Sequence, residues 1–356
     1  MRVLVARPDG MGDVLLTGPA VRAIAASGAD VTFLAGPDGT GAAALLPGVN
    51  RVLEWRAPWA DAEPGAFDPG HMQSLVRRVS RLGPAVAVVF TSFHQSPLPM
   101  ALALRMAGVP RIAAISEDYP GSLLDVRHPP PEDIPEAERN LSLARAAGFE
   151  LPTGDTGRLA VTAALPDSRE LTGDGPYVAV HASASVPARA PSAGKVAAVV
   201  AALAAAGHRV VVTGSAAESA LTAAVCRPAA EALGRSPVTP VDLGGRTTLP
   251  MLAAALAGAG VVVAPNTGAA HLAAAMGTPL VSLFAPVVPA ARWVPYGVPT
   301  IVLGRQDAPC AGSRARFCPV SGHPCLDLID PGDVVAAVAG LSGRPAAGPA
   351  PAEARG

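Results

Sequence analysis

Short apolar runs alternate along this chain with longer stretches whose apolar residues recur every three to four positions. Val3-Leu-Val-Ala6 predicts a strand and Val14 to Ala26 a helix. Val31-Thr-Phe-Leu-Ala35 is the next strand, closed by Gly36-Pro37, and Ala85 to Phe90 a later one, followed by a helix from Leu98 to Ala107. Ser116 to Pro135 is rich in Pro, Asp and Gly and reads as a long loop before a helix over Glu136 to Ala147. Leu151 to Gly175 reads as a linker with some strand content at Arg158-Leu-Ala-Val161. The alternation then restarts. Tyr177–His181, Arg209–Thr213 and Gly260–Ala264 predict strands, and Lys195–Ala206, Glu218–Leu233, Leu249–Ala257 and Pro331–Leu341 predict helices. Strands that alternate with helices imply βαβ units and a parallel sheet with right-handed crossovers. The expected class is α/β, with two doubly wound, Rossmann-like domains over 1–165 and 172–330, an interdomain cleft, a terminal helix over 331–341 and a disordered tail over 342–356.

Composition narrows the function. With 356 residues, half of them hydrophobic, the chain can build two sizeable cores. Its formal net charge of −1 leaves no broad basic field, so nucleic acid is excluded as a partner. The N-terminal apolar run is too short for a signal peptide. Met251 to Ala291 carries no Asp, Glu, Lys or Arg, as a membrane span would, yet Pro265, Asn266, Gly268, His271, Gly277 and Pro279 cut it into short pieces. A buried strand, helix and strand fit better. The expectation is a cytoplasmic monomer, with peripheral contact at the inner face of the plasma membrane left open.

The chemistry concentrates in two turns. Pro265-Asn266-Thr267-Gly268 follows one predicted strand and opens a helix that Gly277 ends. Asn266 or Thr267 is expected to cap that helix, while its remaining N–H groups and positive dipole end suit a phosphate or diphosphate. Gly268 allows a ligand to approach the backbone. The second turn, Arg7-Pro-Asp-Gly-Met-Gly-Asp13, follows the first strand. Gly10 and Gly12 permit unusual backbone angles, and Asp13 sits at a helix start. There it either complements the helix dipole or serves as a general base that takes a proton from an acceptor hydroxyl. Gly10-Met-Gly12 also begins a dinucleotide fingerprint, with Asp30 twenty residues on, but the third glycine position holds Leu15.

These pieces resemble glycosyltransferase family 9, the heptosyltransferase family. Arg7-x-Asp-x-x-Gly-Asp13 with Val-Leu-Leu-Thr-x-Pro-Ala-Val-Arg22 resembles its N-terminal signature. Asn266-Thr-Gly-x-x-His271-Leu-Ala-Ala-Ala-x-Gly277-Thr-Pro resembles its donor signature. Ser185–Arg189, Thr213–Glu218 and His323-Pro-Cys-Leu326 resemble further family segments. The resemblance implies a GT-B fold, an acceptor-binding N-terminal domain and a C-terminal domain for a nucleotide sugar, ADP-heptose in the best-known members. Transfer would invert the anomeric centre without a metal or other cofactor, the nucleotide sugar being a substrate. Asp13 takes the place of the base and Arg189 that of the diphosphate-pairing cation. Thr267, Gly268 and His271 stand at phosphate- and sugar-contacting positions, and Glu218 at one that holds the nucleoside. The chain departs from the family at Asn266, commonly Asp, and at Ala190-Pro191, where an aromatic residue is usual. The acceptor would be a glycan, a glycolipid such as lipopolysaccharide core, or a metabolite.

Other readings of the same residues stand beside these. His271 also fits a core histidine, Arg189 a solvated loop charge and Glu218 a residue that favours a helix start. Gly12, His94 and Gln95, with Ser92, are acceptor-side candidates or plain loop polar groups. His181 ends a strand without an assigned role, and Trp55 and Trp59 suit loop packing. Cys310, Cys318, His323 and Cys325 contain the elements of a Cys₃His zinc site, but their spacing is irregular and lacks C-x₂-C. As whole-protein alternatives, a nicotinamide-dependent oxidoreductase and a non-catalytic nucleotide-sugar-binding protein remain.

Overall fold

Twelve short strands, all but the four at the sheet edges mostly buried, form two all-parallel sheets in the computed structural model, which describes residues 1–343 apart from 62–63, 93–94, 131–132, 163 and 235–238. The chain divides into two compact units, Met1–Thr162 and the part that follows. In the first unit the strands are β1 (Arg2–Arg7), β2 (Asp30–Ala35), β3 (Arg51–Glu54), β4 (Val86–Val89), β5 (Arg111–Ala114) and β6 (Val126–Arg127). Their order across the sheet is β3-β2-β1-β4-β5-β6. The second unit holds β7 (Val178–His181), β8 (Val210–Thr213), β9 (Val241–Asp242), β10 (Val261–Pro265), β11 (Leu280–Leu283) and β12 (Thr300–Leu303). Their order, β12-β11-β10-β7-β8-β9, is the same pattern within the unit. Continuous Val, Leu and Ala runs suit such strands because helices cover both faces.

The direction of winding reverses between β1 and β4 in one sheet and between β7 and β10 in the other. Ligands of open α/β sheets bind beyond the carboxyl ends of strands at such points. In the first unit Ala6 pairs with Val89, so Arg7 and the Phe90–Ser92 segment emerge side by side. In the second, Val263 pairs with Val180, bringing Asn266 and His181 to the same end.

Several details differ from the reading of the sequence. The expected helix from Val14 to Ala26 is two helices, Met11–Leu15 and Gly18–Ala26. Pro19 has no N–H to continue the first ladder but suits the start of the second. Strands β3, β5, β6, β9 and β12 escape the apolar pattern because each is short and carries exposed or partly exposed positions that break its apolar run. The long loop before Glu136 contains a 3₁₀ turn, Gly121–Leu123, and edge strand β6. Arg158–Val161 makes no strand. It packs along the first unit, where Leu159 is buried and Thr162 N–H donates to Leu45 O.

The uncharged stretch after Met251 resolves into helix Leu249–Ala257, β10, helix Gly268–Ala275 and β11. No helix among the described residues is long and apolar enough to cross a membrane. A last helix, Pro331–Ser342, is capped by Asp330, which accepts from Gly332 N–H at 2.7 Å. It packs on helix Ala193–Ala205 and against β10, β11 and β12. Most of the expected tail, from residue 344 onward, lies outside the described residues.

Candidate functional site

At the end of β1 the chain turns through Pro8-Asp9-Gly10 into helix Met11–Leu15. Gly10 has ordinary extended angles (φ −75°, ψ 176°) and Gly12 lies inside the helix, so neither uses the left-handed freedom expected of it. The turn is packed by two other glycines. A β-carbon on Gly39 would stand 2.7 Å from Asp9 O and from Val14 Cγ2, and one on Gly36 would overlap Pro8 O.

Arg7, fully buried, organises the turn. Its Nε lies 2.7 Å from Asp9 Oδ2, and its Nη2 donates to Asp13 Oδ1 at 2.7 Å and to Ser92 Oγ at 2.8 Å. Ser92 Oγ donates in turn to Asp13 Oδ1 at 3.2 Å. Gln95 Nε2 donates to Asp9 Oδ1 at 2.6 Å, and Gln95 Oε1 accepts from Ser92 N–H at 3.1 Å. The contacts close a ring: Arg7, Asp9, Gln95, Ser92, Asp13 and back to Arg7. Asp13 keeps 28% of its side-chain surface exposed, against 7% for Asp9.

The ring is dense in charge. Burial pushes the Asp9 carboxyl up, as does the Asp13 charge, and this outweighs the pull of Arg7, Gln95 and Ser92. Burial works to discharge Arg7, but Asp9, Asp13 and Glu136 overcome it and raise its pKa. Glu136, wholly buried, opens helix Glu136–Ala146 and faces Arg139 at 3.6 Å. Arg139 Nη1 donates to Thr91 O at 3.2 Å, and Asn140 Nδ2 to Leu16 O at 3.1 Å. This second layer of buried polar groups ties the helix beneath the turn. Sequence reasoning missed Arg7, Asp9, Glu136 and Arg139 as members of one network. The signal was available in part, since Glu136 and Arg139 are an i, i+3 pair on a predicted helix.

In the second unit, Thr267 takes the N-cap position of helix Gly268–Ala275 with an extended backbone (φ −147°, ψ 165°). Neither Thr267 nor Asn266 caps it with a side chain, contrary to expectation. The first turn therefore keeps its dipole end free of side-chain acceptors. Asn266 is buried, and its Nδ2 has no hydrogen-bond partner among the described residues. His271 is buried within the helix one turn on. The helix ends as expected. Gly277 adopts a left-handed φ of 79°, its N–H donates to Ala274 O, and Thr278 N–H donates to Ala273 O.

The other sequence candidates lie each within its own unit. His181, ending β7, shares a 2.9 Å hydrogen bond between Nδ1 and Thr213 Oγ1. Burial lowers its pKa, with Glu218 acting in the opposite sense. Glu218 forms a capping box with Ser215, accepting from Ser215 N–H at 2.7 Å. Burial works to raise the Glu218 carboxyl, but hydrogen bonds from Ser215 and Ser183, with His181 nearby, bring it below its ordinary value. Arg189 ends a 3₁₀ turn, Pro187–Arg189, anchored where Ala188 N–H donates to Arg316 O. Gly12 is half-buried, and both polar ends of Gln95 are taken up in the ring. His94 lies outside the described residues.

Cys310 and Cys325 are buried in the core of the second unit. No group of three or more His, Cys, Asp or Glu among the described residues is arranged to hold a metal ion. Trp55 packs in the first unit, its ring tilted against Trp59 and stacked on His71 at 4.7 Å.

A sequence model of glycosyltransferase family 9 (heptosyltransferase) matches residues 97–322. Solved structures share the fold over nearly the whole chain. Escherichia coli ADP-heptose LPS heptosyltransferase II is 21% identical, with a TM-score of 0.72 over 96% of this chain and 98% of its own. A glycosyl transferase family 9 protein from Veillonella parvula is 16% identical, with a TM-score of 0.76 over 96% and 97%. The E. coli heptosyltransferase WaaC, solved with ADP-2-deoxy-2-fluoro heptose, is 20% identical, with a TM-score of 0.66 over 86% and 94%. No curated protein matches the chain in sequence. The two parallel sheets with flanking helices match the GT-B fold of these structures.

Proposed function

Since this chain belongs to glycosyltransferase family 9, the heptosyltransferase family, it is a glycosyltransferase, and we propose that it transfers heptose or a related sugar from a nucleotide-diphosphate sugar with inversion. ADP-heptose is the leading donor, because WaaC was solved with a fluorinated ADP-heptose and the E. coli relative is an ADP-heptose enzyme by description. The acceptor is a hydroxyl of a glycan, a glycolipid such as lipopolysaccharide core, or a metabolite. We assign the acceptor to residues 1–165 and the nucleotide sugar to 172–330. We place the enzyme in the cytoplasm as a monomer, with peripheral contact at the inner face of the plasma membrane left open.

The observation that carries this reading is the state of Asp13: a carboxylate held by Arg7 and Ser92 yet still open to solvent at the switch point of its sheet. In the proposed reaction Asp13 takes the proton of the acceptor hydroxyl as its oxygen bonds to the anomeric carbon. The bond from that carbon to the diphosphate breaks, and the leaving group departs with its electron pair. Arg189 and the start of helix Gly268–Ala275 meet the growing negative charge, so the reading invokes no metal. Thr267, Gly268 and His271 line the phosphate and sugar. Glu218 stands by the nucleoside, and Asn266 offers its unpartnered Nδ2 to a ligand oxygen. Gly12, His94 and Gln95 form the acceptor side, Gln95 through its bond to Asp9. The oxidoreductase alternative falls with the family assignment.

A thermal-shift screen against ADP-, GDP-, UDP- and dTDP-sugars tests the donor, since a ligand selective for the folded protein raises the melting temperature. A rise with ADP-heptose, followed by transfer to a lipopolysaccharide acceptor, is the expected result. Stabilisation by none of the nucleotide sugars would overturn the reading.

A further inference from the structure

We infer that Ser92 and Arg7 are positioning residues which occupy Asp13 Oδ1 and thereby reserve Oδ2 as the atom that receives the acceptor proton. This rests on the reading of Asp13 as the base and goes beyond it, because it names the accepting atom and the groups that select it.

A free carboxylate has two equivalent oxygens and a broad terminal torsion. Here the equivalence is broken. Oδ1 accepts two hydrogen bonds, from Arg7 Nη2 at 2.7 Å and from Ser92 Oγ at 3.2 Å, which fill its two lone-pair directions. Among the described residues none donates to Oδ2. The exposed part of the side chain therefore belongs to a carboxylate whose other oxygen is spoken for.

The two donors are themselves fixed. Arg7 Nη2 also donates to Ser92 Oγ at 2.8 Å, which turns the hydroxyl hydrogen toward Asp13. The Arg7 Nε forms an ion pair with Asp9 Oδ2, which holds the buried guanidinium against the turn. Ser92 N–H is held by Gln95, and Gln95 by Asp9. A rotation of Asp13 would break two bonds at once and leave a buried guanidinium short of a partner. The proton taken from the acceptor thus goes to Oδ2, while Oδ1 stays bonded to its cation throughout.

Ser92→Ala removes one donor to Oδ1, and with it one acceptor of Arg7 Nη2, while leaving the Arg7–Asp13 bond in place, and Ser92→Thr keeps the hydroxyl. Arg7→Lys keeps the charge but has a single nitrogen to serve two carboxylates. Crystal structures of wild type and Ser92→Ala are the first readout. The expected result is one Asp13 rotamer in the wild type, with Oδ1 on Arg7 and Ser92, and more than one in Ser92→Ala. An unchanged, single rotamer in Ser92→Ala overturns the inference whether or not a substrate has been found.

Turnover with ADP-heptose and a lipopolysaccharide acceptor is the second readout. Ser92→Ala should lower kcat by about tenfold with KM for both substrates unchanged, and Ser92→Thr should recover most of it. Arg7→Lys should lose more than Ser92→Ala. The outcomes separate the two claims. Full activity in Asp13→Asn sinks the base reading. An inactive Asp13→Asn beside a Ser92→Ala of unchanged kcat leaves that reading intact and removes the positioning role.

Discussion

Arg22 grips Asp155 with two nearly parallel hydrogen bonds, Nε to Oδ2 at 2.6 Å and Nη2 to Oδ1 at 2.9 Å, across 133 residues of sequence. Nη2 also donates to Arg158 O at 2.7 Å, so one guanidinium pins the segment that closes the first unit onto helix Gly18–Ala26. The Arg22 hydrogen bond holds the Asp155 carboxyl below its ordinary value, opposed by burial and aided by Gly157 N–H. A depressed carboxyl stabilises the fold above its unfolded pKa and loses that contribution as pH falls through the folded value. Asp155→Ala should cost about 1–3 kcal/mol at neutral pH by chemical denaturation. The gap between variant and wild type should close as the pH is taken below about 4, near the ordinary aspartate value.

Asp13→Asn keeps the size and most hydrogen-bonding capacity of the side chain but cannot accept a proton. Transfer should fall by about 10²–10⁴-fold. The melting-temperature rise with ADP-heptose should survive, since that ligand is assigned to the other unit. A radiolabelled-sugar transfer assay beside the thermal-shift series checks both halves.

Gly39→Ala should be destabilising out of proportion to its size. Its methyl would meet Asp9 O and Val14 Cγ2 at 2.7 Å, and the backbone oxygen cannot rotate away. Helix Pro37–Leu45 must shift off the Pro8–Asp9 turn, at a cost of about 1–3 kcal/mol. The shift also moves Asp9, so turnover should drop in the variant while donor affinity holds.

Thiol reactivity should be graded by burial. Burial raises the Cys226 thiol to about 12 and the Cys325 thiol to about 11. Little thiolate exists on either at pH 8, and Cys310 is buried too. Cys318, half-buried, should react with an aromatic disulfide reagent first, and the remaining three only after denaturant is added. Rapid labelling of Cys226 or Cys325 in the native protein, seen by peptide mass spectrometry, would contradict this packing.

His181 gives a second pH dependence, also toward acid. Its folded pKa lies below the ordinary 6.5, chiefly because burial disfavours the imidazolium. The unfolded chain therefore binds more protons below about 6.5, and stability declines as pH falls from there toward the folded value. His181→Asn should flatten the denaturation midpoint across that window. An equally steep decline in the variant would assign the effect to other groups.

The alternation of apolar runs with helical periodicity was enough to read the α/β class, because buried parallel strands carry no polar face to blur the signal. The helix start after Pro265 and the glycine stop at Gly277 were equally legible, since both are local. Edge strands such as β6 and β9 were not, because two residues carry no period. The Arg7 ring escaped for a different reason. Its members span positions 7 to 95, and only the pairing of β1 with β4 brings them together. A side-chain cap at Asn266 or Thr267 was expected from residue type alone, and the backbone at Thr267 instead leaves that helix start open.

That closed ring also carries an order of events. Arg7, Asp9 and Asp13 leave the ribosome long before Ser92 and Gln95, and no local contact replaces those two. Until the fourth strand has docked beside the first, the acidic turn has lost half its anchors, so a prematurely released chain ending before residue 92 cannot assemble the centre at all. The chemistry is thereby conditional on a nonlocal pairing event, the kind that costs loop-closure entropy and sets folding speed.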